Sequence, residues 1–193
     1  MINLTEITVI VRAYLDDAAA VVEQPIIDSV HFLSNLFSID SIDTSQSTVV
    51  AGTTLDIPTN GVEINSVFID GEEVRQLKNL DHLETVNNAE EQRWYEFGGK
   101  IQFTKAFTTV ETTSIWYKKG YTEPAAAVDT DVPYKMLELV YLGAQYRYYN
   151  ILLAQVATKR DSVPDVEPDE LRKIRDDIKK SYFDQIKLIK QNA

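Results

Sequence analysis

The apolar residues of this chain change their spacing twice, and that double change limits its fold more than any other feature. Leu4, Ile7, Val11, Tyr14, Leu15, Ala18 and Val22 recur three or four apart, the spacing of one helix face. Past residue 45 the spacing falls to two, with Leu55 and Ile57, then Val67 and Ile69, alternating with polar neighbours, as a half-buried strand requires. From residue 134 the helical spacing returns in Leu137, Val140, Tyr141, Ala144, Tyr148, Ile151 and Leu152. A helix stripe and a strand face cannot share one period. The chain therefore reads as helices, then strands, then helices.

Local signals place the boundaries. Asn3 followed three residues later by Glu6 predicts a capping box opening the first helix. That helix, with a stripe reaching Val22, is expected to end or bend before Pro25, which then suits the first turn of a second helix with Ile26, Ile27, Val30, Leu33, Leu36 and Phe37 inward. Asp70-Gly71 between two extended runs predicts a hairpin. Two more strands are expected at 92–97 and 100–104, and another in "TTSIWYKKG". "YTEPAAAVDTDVP" reads as a connector, and the third helix starts near Tyr134. "TKRDSVPDVEP" is a polar loop before a last helix opened by Pro168, Asp169 and Glu170, with Ile174, Ile178, Tyr182, Ile186 and Ile189 on one side. The fold class is α+β. A helical module of four helices, two N-terminal and two C-terminal, occupies 1–45 and 121–193. A small antiparallel β-sandwich or barrel-like module is inserted at 46–120. At 193 residues and 44% hydrophobic, the chain can supply one ordinary core or two small ones.

Candidate chemistry is sparse. "FGGK" at 97–100 resembles a phosphate loop, but Lys100 is followed by Ile101 where Ser or Thr would hold magnesium, and Trp94 stands where the upstream Gly is needed. A two-residue Gly98-Gly99 turn between strands fits better, because both central positions of a type I′ turn need positive φ. His31 and His82 lie in different elements without a ligand partner at metal spacing; His31 reads as a helix-surface or packing residue and His82 as a loop residue. "DTD" at 129–131 lacks the length and Gly of a calcium loop. The chain has no Cys, which removes thiolate nucleophiles and disulfides. No nucleophile motif is present, and the many carboxylates make any one pair uninformative. Catalytic, cofactor and metal sites are therefore all expected to be none. No run is long enough for a membrane span, and residues 1–10 lack the basic and apolar regions of a secretory signal.

Charge is split. The net charge is −11. Residues 1–64 hold Arg12 as their one base against nine acids, whereas Arg172, Lys173, Arg175, Lys179, Lys180, Lys187 and Lys190 outnumber three acids after residue 170. An acidic body excludes a wrapping DNA binder, which needs Lys and Arg for phosphate contacts. Tyr141, Tyr146, Tyr148 and Tyr149 surround one helix and cannot all face one core. Tyr141 and Tyr148 are expected inward, and the others read as surface residues or interface anchors. Phe183 and Leu188 lie off the apolar stripe of the last helix, as suits docking to a partner.

The layout resembles one family across nearly the whole chain. A helix pair is followed by a strand ending "LDIP", by "SVFIDGEEV" with its Asp-Gly turn, by "WYEFGGKIQF", by "SIWYKKGYTEP", and by the long "LVYLGAQYRYY" helix with a charged helix behind it. This order is similar to that of the head-to-tail adaptor (connector) proteins of tailed bacteriophages, including the tail tubular protein A type. One departure is that "IQFTKAF" reaches no early proline, so the neighbouring loop is expected to differ. The resemblance implies a structural virion protein, not an enzyme, without cofactors. It implies a ring of copies, commonly twelve, between the portal and the tail. Such a ring retains packaged DNA, lets double-stranded DNA pass without sequence-specific binding, and gives the tail its platform. The implied partners are the portal protein, tail or other neck proteins and further copies of the chain, with no membrane. The implied place is the virion neck, after assembly in the host cytoplasm. The resemblance gives Lys179, Tyr182, Phe183 and Ile186 a portal-contacting role. The hairpin residues Trp94, Tyr95, Phe97, Gly98 and Gly99 are expected to meet a neighbouring subunit or a tail protein. Rival readings are a different neck component (a stopper or tail terminator), a monomeric ligand- or protein-binding module with an aromatic hairpin and, third, a carboxylate-based hydrolase.

Overall fold

The computed structural model describes residues 2–78, 91–158 and 167–191. His82 and the 159–166 part of the polar loop lie outside them. The protein is α+β, with four helices and nine strands among the described residues. It divides into a helical unit, Met1–Leu36 with Tyr121–Ala193, and a β unit, Phe37–Gly120.

In the helical unit, β1 (Ile2–Asn3) leads directly into α1 (Leu4–Leu15). The predicted capping box is formed: Asn3 Oδ1 accepts from the Glu6 N–H and Glu6 Oε2 from the Asn3 N–H, both at 3.1 Å. α1 ends before Pro25, and short of the Ala18 and Val22 that its expected stripe included. It stops at Asp16, which takes a left-handed conformation at φ 52°, and the Asp17 carboxylate then accepts from the Ala19 N–H at 2.9 Å. Short acidic side chains tolerate that conformation and bind the local backbone, so two adjacent Asp residues end a stripe that Ala18 and Val22 continue in sequence. Arg12 spans the turn, donating to the Ala20 carbonyl at 2.9 Å and to Glu23 Oε1 at 3.1 Å. α2 (Glu23–Phe37) follows with Pro25 in its first turn.

β9 (Asp129–Thr130) pairs antiparallel with β1. A 3-10 turn, Tyr134–Met136, then feeds α3 (Leu137–Thr158), and α4 (Pro168–Gln191) packs along α3. Leu137, Val140 and Ala144 of the expected stripe are buried, but Ile151 is 47% exposed and Leu139, off that stripe, is fully buried. α3 is covered on more than one side, by α1 and by α4, so no single 3.6-residue stripe describes it.

The β unit holds one seven-stranded sheet in the order β2-β8-β4-β5-β6-β7-β3. Its strands are β2 (Ile39–Asp43), β3 (Thr54–Asp56), β4 (Gly61–Ile69), β5 (Glu72–Gln76), β6 (Arg93–Phe97), β7 (Lys100–Phe103) and β8 (Thr113–Lys119). Two expectations are corrected. The unit starts before residue 46, because β2 joins the sheet through Ile42 opposite Trp116. The sheet is not wholly antiparallel, since β5 and β6 run parallel with Arg75 opposite Arg93. Glu91 lies between those like charges, 3.5 Å from Arg75 and 3.3 Å from Arg93.

Leu55 of β3 and Ile115 of β8 belong to one core with Ile64, Val67, Trp94, Ile101 and Phe103. These strands lie near opposite margins of the sheet, so the sheet curls upon itself. The two margins differ. On β3, Gln46 accepts from the Asp56 N–H at 2.9 Å and donates to the Asp56 carbonyl at 3.0 Å; one side chain takes the place of a neighbouring strand. β2 has β8 on one side and no strand on the other among the described residues, and at its Asp43 end the same Gln46 amide donates to Asp43 Oδ2 at 2.7 Å.

Candidate interaction surfaces

The hairpin of β6 and β7 closes through Gly98 (φ 61°) and Gly99 (φ 73°) with Phe97 opposite Lys100, a type I′ turn as its two positive φ angles require. No atom lies within 4 Å of where a Cβ would stand on either glycine. Alternation sends Trp94 inward, where it is 1% exposed. Trp94 is therefore core and cannot present its ring at a surface. The outward row is Tyr95, whose hydroxyl donates to Gln102 Oε1 at 3.2 Å, and Phe97, 61% exposed at the tip. Lys100 stands beside Phe97 and pairs with Asp56 at 3.1 Å.

The four portal-facing candidates on α4 also divide. Tyr182 and Ile186 point inward with Leu171. The Tyr182 ring lies 6.0 Å from Phe32, and the Arg147 guanidinium stacks 5.4 Å from the same Phe32 ring. Burial pushes the Tyr182 hydroxyl above its ordinary value, and the nearby Arg147 charge offsets only part of that. Lys179 and Phe183 remain outward, on a strip of α4 that also carries Arg172.

Arg147 itself is held by α2 and α3. Its Nη1 donates to Ser29 Oγ at 3.1 Å and to the Gly143 carbonyl at 3.2 Å, while Ser29 Oγ donates to the Pro25 carbonyl at 2.7 Å. A Cβ on Gly143 would meet Ser29 Oγ at 2.9 Å, so the two helices touch where both residues are small. Tyr141, Tyr148 and Tyr149 are half-buried, and burial leads the causes that raise each pKa. The Tyr148 hydroxyl donates to Asp17 Oδ2 at 3.1 Å.

Sequence reasoning missed two apolar surfaces. A groove of about 980 Å³ in the helical unit is lined by Ile2, Val9, Ile10, Val132, Leu137 and Tyr141. Val9 on it is 64% exposed and Tyr134 is 91% exposed. Val9 lies off the α1 stripe, and that was the available signal. The second surface lies on the outer face of the β sheet. Ile42 and Trp116 are in register, and the Phe68 ring lies 5.9 Å from Trp116. The signal there was "SIWYKK", in which alternation puts Trp116 opposite to Ile115 and Tyr117.

His31 is exposed and sits 3.0 Å from Glu123. In "DTD", Asp129 and Thr130 form β9, and Asp131 accepts from the Thr122 N–H. Among the described residues, no three His, Asp or Glu side chains converge as a metal ligand set, and no helix is long and apolar enough to cross a membrane. Comparison of the chain with protein-family models and with curated proteins finds no match.

Proposed function

We propose that this protein is a head-to-tail adaptor of a tailed bacteriophage, a structural component forming a ring between portal and tail in the virion neck. The observation that carries the reading is the presence of two dissimilar exposed apolar surfaces. One is the groove lined by Val9 and Leu137, and the other is the Ile42–Trp116–Phe68 row. A ring is built from a heterologous interface, in which two different patches of one chain must each bury apolar area. The element order, a helix pair before and after an inserted β unit, supports the same reading through the family layout. The acidic balance suits a channel for DNA, because negative walls repel phosphate rather than retain it. In this reading Lys179 and Phe183 meet the portal, and Tyr182 and Ile186 hold α4 in place beneath them. The rival aromatic-hairpin module loses its largest ring to the core, since Trp94 is buried.

Size-exclusion chromatography with light scattering, on the protein alone and beside a portal ring, tests this. The expected result is a discrete complex with the portal whose mass corresponds to several copies. A protein that stays monomeric beside the portal overturns the reading. Deleting α4 would not be a clean probe, because Leu171, Tyr182 and Ile186 are core residues. Lys179→Glu combined with Phe183→Ala leaves that core intact and is expected to weaken portal association about tenfold, the size of effect that removing an aromatic hot spot gives.

A further inference from the structure

The outer face of the sheet beside β2 carries two side-chain rows that run across the strands. The first is apolar: Ile42 of β2 lies opposite Trp116 of β8, and Phe68 of β4 adjoins the Trp116 ring at 5.9 Å. The second is charged and alternates in sign. Glu63 of β4 lies opposite Lys118 of β8 at 3.6 Å, and Lys118 lies opposite Asp40 of β2. Asp40 and Ile42 are two residues apart, so both rows reach the open margin on one face. There Ile42 is still 50% exposed. Continuing the first row calls for an apolar side chain, and continuing the second calls for a cation.

We propose that the β2 edge receives an extended strand from a partner protein, antiparallel to β2, with an apolar residue facing Ile42 and a Lys or Arg facing Asp40. In an antiparallel strand those two residues follow one another as apolar-x-basic. Backbone hydrogen bonds supply the attachment and the two rows supply the choice of sequence. The antiparallel direction continues the run of β2, β8, β4 and β5. A second copy of β2 does not continue both rows: two-fold pairing about Ser41 sets each Asp40 against the other copy's Ile42, pairing about Asp40 sets the two carboxylates together, and pairing about Ile42 puts Thr44, not a cation, opposite Asp40. The β unit as a whole favours a basic partner, with thirteen acids against seven bases over 37–120. This inference does not rest on the adaptor reading.

The probe is a labelled ten-residue peptide of alternating Thr and Val with one Lys two places after a central Val. Its controls are a twin with Glu for Lys and a shuffled peptide of the Lys composition. Fluorescence anisotropy is expected to favour the Lys peptide over the Glu twin about fivefold, and Asp40→Lys is expected to reverse that order. Amide exchange across residues 39–43 in the wild-type protein is expected to slow on adding the Lys peptide, since strand addition protects backbone N–H groups and charge attraction alone does not. Equal binding of the shuffled peptide, absence of protection, or an unchanged order in the variant overturns the proposal. Protection that rises with protein concentration and without peptide overturns it in favour of self-pairing.

Discussion

The two units keep their interiors in different ways. The helical unit buries polar groups: Ser29 and Ser34 are inside, each donating to a carbonyl one turn back, and Ser34 Oγ also accepts from the Tyr121 N–H. The β unit buries a cluster of ten residues whose polar side-chain atoms are the Trp94 indole N–H and the Tyr117 hydroxyl, and its buried Thr48 and Thr113 hydroxyls lie outside that cluster, each donating to a backbone carbonyl. The reason lies in the backbone. A sheet satisfies its peptide groups between strands and fixes strand spacing by doing so. Helices satisfy theirs internally, and side chains alone decide how closely two of them approach. Small and hydrogen-bonded residues at the α2–α3 contact therefore do for the helical unit what the ladder does for the β unit.

The largest test of that contrast is Trp94→Ala. Removing a fully buried indole is expected to cost about 3–5 kcal/mol, seen as a lower denaturant midpoint in near-ultraviolet circular dichroism. The helical signal at 222 nm is expected to move less. Equal movement of both signals breaks the comparison, because the units then unfold as one. A smaller effect is expected from Gly143→Ala. Overpacking against Ser29 costs about 1–3 kcal/mol, and the gain in helix propensity returns about 1 kcal/mol. Combining it with Ser29→Ala should give less than the sum of the two losses, measured as a double-mutant cycle. Additivity there means that the contact does not set the helix spacing.

The third test uses pH and is graded rather than abrupt. Tyr121, Tyr141, Tyr148, Tyr149 and Tyr182 have pKa values raised above 10.0, in each case first by burial, and all five belong to the helical unit. A raised tyrosine pKa means that the folded state holds the proton more tightly than the unfolded chain. The contribution is complete below pH 10 and falls as pH rises through the folded values. Alkaline titration should therefore erode the 222 nm signal before the change in emission wavelength of Trp94 and Trp116, both of which lie in the β unit. In the β unit, burial pushes the Asp43 carboxyl up, but hydrogen bonds from Ser45 and Gln46 outweigh it and leave the pKa lowered. That contribution is lost in acid instead. The opposite order of loss in base sinks the assignment.

What could be read from the sequence follows the same division between local and distant causes. The capping box at Asn3 and the turns at Asp70-Gly71 and Gly98-Gly99 were legible, because their demands are met by residues a few positions apart. β2 was not. Ile39 and Ile42 are three apart, which suits a helix stripe and not a strand face, and the segment is extended because β8 pairs with it. The parallel β5–β6 contact likewise joins segments that no local pattern connects. At the candidate surfaces, alternation separated Trp94 from Tyr95 but could not say which side faced the core. The same held for α4, where helical spacing grouped Tyr182 with Ile186 correctly and left their side undecided. Phe183 was already legible as off that stripe, and packing against α3 adds that Tyr182 and Ile186 are the buried members of the four.

The unlike margins of the β sheet also bear on solubility. Sheets stack edge to edge into fibres only when one molecule offers both a donor margin and a receptor margin. Here β3 is three residues long and Gln46 already occupies the backbone of Asp56. A copy attached through β2 would present no second open margin of the same kind. Growth by that route stops after a single addition, so the protein can keep one strand edge available without the hazard of polymerising through it.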